Sequence, residues 1–162
     1  MSVPGTGGTG TISGGNTSLM YRIDRFTLLE SGYFFLSYTP DQDSRCFDVG
    51  DATRRTSIWV HLREKDTGKE FYFMSTHLPV RTNSSYDNQP YIEARKMSSE
   101  LNVQRFKTFA GENAMCFIVG DMNCSPWLVD GSPNPDGVAA LAPYNAWMQS
   151  ARSFDLQKNK AS

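Results

Sequence analysis

Two segments, EFYFMSTHL (residues 70–78) and AMCFIVGDMN (residues 114–123), are apolar on both sides of the chain's two-residue alternation. A strand with one face in water alternates polar with apolar; a strand apolar on both faces needs layers above and below it. That requirement constrains the fold more than any other feature, and it marks both segments as candidates for the centre of a covered sheet. Between them, PYIEARKMSSELNVQRFKTFA (residues 90–110) carries Ile92, Met97, Leu101, Phe106 and Phe109 at roughly helical spacing, with Pro90 at its start and Gly111 just past its end. This spacing predicts a helix.

Upstream, TSLMYRI (residues 17–23) reads as a strand, Asp24–Arg25 as a turn and FTLLESGYFFLS (residues 26–37) as a second strand, which together suggest a hairpin. A polar loop follows over residues 39–51. RRTSIWVHLRE (residues 54–64) then alternates, with Ile58, Val60 and Leu62 on one face and Trp59, His61 and Arg63 on the other. The turn chemistry of Asp66–Thr67–Gly68–Lys69 predicts antiparallel pairing with the doubly apolar strand after it. Downstream, SPWLVDGSPNPDG is a Pro-rich loop leading to a shorter helix, VAALAPYNAWMQSA (residues 138–151), whose Pro143 falls near its first turn or breaks it. Residues 1–16 are Gly-, Thr- and Ser-rich and read as a flexible linker, because no strand precedes them and no GxxxxGK[ST] pattern is present.

A chain of 162 residues fits one domain with a substantial core. With 16 basic and 17 acidic residues there is no global positive field of the kind that draws proteins to a phosphate backbone. Cys46, Cys116 and Cys124 form no CxxC pair, so a structural zinc site is not expected, and Cys116 reads as a small buried hydrophobe. No run reaches the length of a membrane span.

The candidate chemistry sits at the ends of the two doubly apolar strands. In VGDMN, a two-residue period puts the carboxylate of Asp121 and the amide of Asn123 on one side of the chain. Phosphoryl hydrolysis needs a group that orients or deprotonates water and groups that hold phosphate oxygens and a metal. The same two residue types also favour a simple turn. His77 ends the other strand, where an imidazole can bond a phosphate oxygen or, when protonated, stabilise negative charge; a histidine merely held by Thr76 or by backbone is the alternative. His61 reads as a surface histidine. Arg54 and Arg55 open their strand as either a phosphate clamp or a solvated strand end. Cys124 beside Asn123 raises a cysteine nucleophile with His77 as base, though no neighbour visibly lowers its thiol pKa.

YRIDRFTLLESGYFFLSYTP, RRTSIWVHLREKDTGKEFYF, STHL and VGDMNCSP, followed by a helix ending near Phe154–Asp155, together resemble the endonuclease/exonuclease/phosphatase superfamily, which includes type I deoxyribonucleases. The resemblance covers most of the chain from Thr17 to Leu156. It implies an α/β fold, part of a four-layered α/β sandwich with mainly antiparallel and mixed central sheets. It also implies a metal-dependent phosphoester hydrolase using Mg2+ or Mn2+. Carried over, His77 matches the histidine that binds phosphate and stabilises the transition state. Asp121 and Asn123 match the GD[FM]N pair that activates water, holds the phosphate and lies beside the metal. Arg55 matches a frequent arginine and is assigned to substrate binding.

Pro79 and Val80 stand where many members continue with Asp-His. The superfamily's metal-binding glutamate is expected upstream of Thr17 and its Ser-Asp-His motif downstream of Asp155. The chain is therefore expected to hold the central part of the domain over residues 17–157, between the linker 1–16 and a tail 158–162. In isolation it is expected to show little or no hydrolase activity and to self-associate through exposed sheet edges. A non-catalytic binding or assembly module on a truncated or degenerate fold is the alternative. The substrate stays open among nucleic acid, lipid head group and sugar phosphate, since Thr82–Gln89 and the Asn83 sequon carry no readable code. Resemblance to secreted and periplasmic members points away from the cytoplasm.

Overall fold

The computed structural model describes residues 2–4, 17–47, 49, 54–80 and 89–151. Four strands form one mixed sheet: β3 (Phe26–Phe35), β4 (Thr56–Glu64), β5 (Glu70–His77) and β6 (Cys116–Asp121), in that spatial order. β4 runs antiparallel to both of its neighbours, β3 and β5, and the 66–69 turn joins β4 to β5 as its composition predicts. The crossover from β5 to β6 passes through α1 (Gln89–Ala110), so β6 joins parallel to β5, as a helical crossover requires. α2 (Pro135–Asn145) packs against α1.

The expected hairpin between residues 17–23 and 26–37 does not form. β2 (Ser18–Met20) pairs instead with β1 (Ser2–Pro4) in a separate two-stranded sheet, and β3 takes β4 as its partner. A short strand with a turn behind it does not choose its partner locally, and the nine paired positions of β3 with β4 outweigh a three-residue alternative. The remainder of the Gly-rich segment, residues 5–16, lies outside the described residues. So do residues 81–88, which include Asn83, and residues 152–162, which include Phe154, Asp155 and the tail.

The sheet has two apolar faces. On one, Phe34, Leu36, Trp59 and Met74 meet Tyr91, Ala94 and Phe106 of α1 and Tyr144 of α2, and Trp59 stacks on Phe109 at 4.1 Å between ring centres. On the other, Ile58, Val60 and Leu62 pack with Leu19 of β2 and with Phe71 and Phe73. The alternation read in β4 therefore sorts its side chains correctly, but both faces are covered at Trp59 and Val60 rather than one being polar. β6 departs from the expectation of a central strand, because it is the edge of the sheet among the described residues. Its Phe117 and Val119 stay 46% and 45% exposed. Local composition registers a strand's apolar character; it does not register which side a neighbour takes.

α2 begins at Pro135, three residues before the expected start, so Pro143 falls in its last turn and the helix stops two residues later. Proline at the N-terminal position suits a helix start, since the missing N–H has no intrahelical partner there. Cys116 is half-buried rather than enclosed.

One polar cluster lies inside this apolar frame. Asn102 of α1 is fully buried. Its amide nitrogen donates to Thr76 Oγ1 at 3.0 Å and to the Tyr144 hydroxyl at 2.6 Å, while Ser57 Oγ donates to its carbonyl oxygen at 2.6 Å. Ser57 and Thr76 share a further bond at 2.7 Å, and with the Ser57 proton committed to Asn102, Thr76 is the donor there. Burial pushes the Tyr144 hydroxyl up to about 12. The cluster joins β4, β5, α1 and α2 at the layer just below His77. Asn102→Ala leaves three buried hydroxyls short of partners and is expected to lower unfolding stability by roughly 2–4 kcal/mol. Urea denaturation measures it, and a loss below about 0.5 kcal/mol, the level of an inert surface change, contradicts this account.

Candidate active site

The site forms where β5 and β6 end side by side. Their parallel register places His77 directly opposite Asp121. Continuing past the strands, Leu78 N–H donates to the Asp121 carbonyl at 2.9 Å, and the Asn123 amide nitrogen donates to the Leu78 carbonyl at 2.7 Å. The two strand ends are thus tied by backbone and by side chain.

Asp121 and Asn123 do come together, but not through strand periodicity. The strand ends at Asp121, and Asn123 lies in the left-handed region at φ 48°, which asparagine tolerates better than most residues. Its backbone N–H donates to Asp121 Oδ1 at 2.9 Å, closing a turn over Met122. This leaves Asp121 Oδ2 and the Asn123 carbonyl oxygen free of described protein bonds. Asp121 Oδ2 lies 3.8 Å from His77 Nε2, and the carboxylate is well exposed at 65%.

Gly120 makes this geometry available. At φ 145° it sits where side chains are disfavoured, and a Cβ there would lie 1.8 Å from the Thr76 carbonyl oxygen. The glycine of VGDMN is therefore a packing requirement at the site, a role its sequence position did not disclose.

Arg55 is placed beside His77 and is only 5% exposed. Its Nη1 lies 3.0 and 2.9 Å from the two imidazole nitrogens. Lone pairs on the two nitrogens diverge in the ring plane, so an atom this close to both lies over the ring face. The contact therefore leaves both ring nitrogens free to bond in the plane. Burial holds the His77 imidazole below its ordinary pKa, the guanidinium adds to that, and Asp121 opposes it. Arg55 Nε is buried without a partner, and no carboxylate pairs with Arg55 among the described residues. Its neighbour Arg54 faces away and pairs with Asp43.

The other candidates fall outside this group. His61 is half-buried, not a free surface residue: it stacks on Tyr72 at 4.1 Å between ring centres and bonds Glu70 at 2.9 Å. Cys124 is half-buried, and burial pushes its thiol pKa up, with Arg95 opposing and Asp121 adding to the rise. That is the reverse of what an activated nucleophile needs. Arg95, unnoticed in the sequence, is buried and donates from Nε to the Pro79 carbonyl at 3.0 Å, fixing the chain that leaves β5. A buried arginine on an otherwise ordinary helix face gives no local signal.

No family model matches the sequence, and no curated protein matches it. Solved structures do. An endonuclease/exonuclease/phosphatase family protein from Bacteroides thetaiotaomicron aligns over 78% of this chain and 40% of its own, at 28% identity and a TM-score of 0.60. A mannosyl-6-phosphatase from the same organism aligns over 78% of this chain and 42% of its own, also at 28% identity and 0.60. An endonuclease/exonuclease/phosphatase from Bacteroides vulgatus aligns over 77% of this chain and 44% of its own, at 26% identity and 0.59. The described residues are part of an endonuclease/exonuclease/phosphatase fold. The chain spans about two fifths of the length of the solved structures it matches. Within the endonuclease/exonuclease/phosphatase fold the matched part contains an α/β unit with a mixed four-stranded sheet and two helices.

Two outcomes test the geometry. In an NMR titration His77 is expected to lose its proton below the ordinary histidine value; Arg55→Gln, which removes a repelling charge, raises the midpoint, and Asp121→Asn, which removes an attracting one, lowers it. Shifts of the same sign in both variants contradict the arrangement. Gly120→Ala is expected to lower stability by at least about 2 kcal/mol by thermal or urea unfolding, because backbone must move to admit the methyl group; an unchanged midpoint contradicts the close approach.

Proposed function

We propose that this chain forms the central part of a metal-dependent phosphoester hydrolase in which Asp121, Asn123 and His77 act at the reacting phosphate, with Arg55 behind them. The observation that carries this reading is the convergence of those groups on one rim around a buried guanidinium that lacks a carboxylate partner among the described residues. A buried guanidinium beside the rim favours an anion that binds there.

The roles follow from what each atom has left to do. Asp121 Oδ2 is exposed and free to accept a proton from, or orient, a water attacking phosphorus. The second N–H of the Asn123 amide and an N–H of His77 can donate to phosphoryl oxygens as charge builds on them. Arg55 adds positive potential from beneath the imidazole.

Mg2+ or Mn2+ fits the oxygen donors that remain, the Asp121 carboxylate and the Asn123 carbonyl oxygen, since such ions commonly keep water and substrate oxygens in the rest of their shell. A bound cation of this kind supplies charge stabilisation to the phosphoryl oxygens and acidifies water. The second reading is a non-catalytic module on this fold that binds phosphate groups without turning them over.

The whole domain is inferred to be a four-layered sandwich. The support is the apolar band of Phe71, Phe73, Phe117 and Val119 on the face away from the helices, which needs a further layer to cover it. The mannosyl-6-phosphatase among the matching structures makes a phosphorylated sugar the substrate class to test first.

The deciding assay follows release of p-nitrophenol from mono- and diester phosphates by the intact protein with Mg2+ or Mn2+. Turnover abolished by a chelator and reduced by Asp121→Ala on the order of 100-fold or more is expected. Turnover indifferent to Asp121→Ala sinks the hydrolase reading, and phosphate binding with no chelator-sensitive turnover establishes the binding-module reading in its place.

A further inference from the structure

Immediately after Asn123 the chain enters a braced loop. Leu128 N–H donates to the Ser132 carbonyl at 2.8 Å, Asn134 N–H to the Pro126 carbonyl at 2.9 Å, and the Asn134 side chain to the Ser125 carbonyl at 2.8 Å. Trp127 and Pro133 face each other as an antiparallel bridge. The first turn of α2 clamps the loop from below, since a Cβ on Gly137 would lie 1.9 Å from the Ser125 carbonyl oxygen. A loop fixed at so many points holds its side chains at little further entropic cost.

Trp127, 37% exposed, is the aromatic residue of this loop among those that line a cleft of about 620 Å3 whose wall includes Asp121 and Asn123. That volume lies within the range of small-ligand sites. Among the described residues the cleft wall contains the amides and hydroxyls of Asn145, Ser125 and Ser150 beside the apolar Val138 and Leu141, and its one charged side chain is Asp121. A polynucleotide lying in it would bring several phosphates past the Asp121 carboxylate, the one charged side chain among the described lining residues. A sugar ring meets the same wall differently: its C–H face suits the indole, and its hydroxyls suit the amides and hydroxyls around it.

Building on the hydrolase reading, we propose that Trp127 is the platform for the sugar ring of a sugar phosphate monoester whose phosphate sits at His77, Asp121 and Asn123. The phosphate end is shared by all phosphoesters; the indole selects the cyclic polyol. Trp127 acts as a specificity-determining residue and takes no part in bond making.

The test is a titration followed by the indole N–H and imidazole NMR signals, the Trp127 peak being assigned by its loss in Trp127→Ala. Mannose 6-phosphate, glycerol 3-phosphate, inorganic phosphate and a short oligothymidylate are the probes, together with sedimentation on phosphatidylcholine vesicles. Mannose 6-phosphate is expected to shift both Trp127 and His77, and inorganic phosphate to shift His77 alone. Trp127→Ala is expected to weaken mannose 6-phosphate roughly tenfold and leave inorganic phosphate unchanged, with Trp127→Phe restoring most of the loss. Equal affinity for mannose 6-phosphate and glycerol 3-phosphate overturns the platform, as does tighter binding of the oligothymidylate. Vesicle binding lost in Trp127→Ala also overturns it, by assigning Trp127 and the exposed Leu128 and Val129 to a lipid surface. If inorganic phosphate leaves His77 unmoved, it is the hydrolase reading that fails; if it moves His77 and the sugar adds nothing, only the role of Trp127 fails.

Discussion

The backbone of Gly120 passes the Thr76 carbonyl too closely for even a methyl group to intervene, and the site rests on that approach. It fixes β6 against β5 at the last paired positions, so His77 can only face Asp121. A slip of β6 by one residue would turn Asp121 to the opposite face of the sheet, away from His77. The bonds that follow, from Leu78 to Asp121 and from Asn123 back to Leu78, extend the same register past the strand ends into irregular chain.

Below this rim the sheet is held to its helices by polar as well as apolar contact. Ser57, Thr76, Asn102 and Tyr144 bring four elements to one bonded cluster, and Thr76 belongs both to that cluster and to the strand position next to His77. Apolar packing tolerates small shifts between layers, whereas a buried amide with fixed donor and acceptor directions does not. The cluster therefore sets the position of the β5 end relative to α1 and α2 more sharply than Phe106 or Trp59 alone would. Arg95, bonded to the Pro79 carbonyl, performs the same service for the chain leaving β5.

Much of this was legible in the sequence where the signal is local. The spacing of Ile92, Met97, Leu101 and Phe106, ended by Gly111, gave α1, and the alternation of β4 with the 66–69 turn gave its pairing with β5. His77 and Asp121 stand out in the sequence because each ends an apolar strand. What was not legible depends on partners distant in sequence. β2 gave no sign that it would pair with Ser2–Pro4, nor β6 that it would lie at the sheet edge among the described residues. The burial of Arg55 under His77 and of Asn102 among hydroxyls likewise follows from packing, since an arginine at a strand start and an asparagine in a helix look the same whether solvated or enclosed.

In the sequence, Asp121 and Asn123 fit either a turn or a site. The structure shows the turn and leaves the site compatible with it, because the carboxylate divides its oxygens: Oδ1 accepts the Asn123 N–H that closes the turn, and Oδ2 is left exposed toward His77. The asparagine divides its amide in the same way, spending one N–H on Leu78 and keeping its carbonyl oxygen and second N–H available. A turn made by side chains that were wholly consumed in it would hold the loop but present nothing. Here the bonds that fix the turn also fix the direction of the atoms left over, and preorganised polar groups of that kind need no rearrangement when charge develops near them.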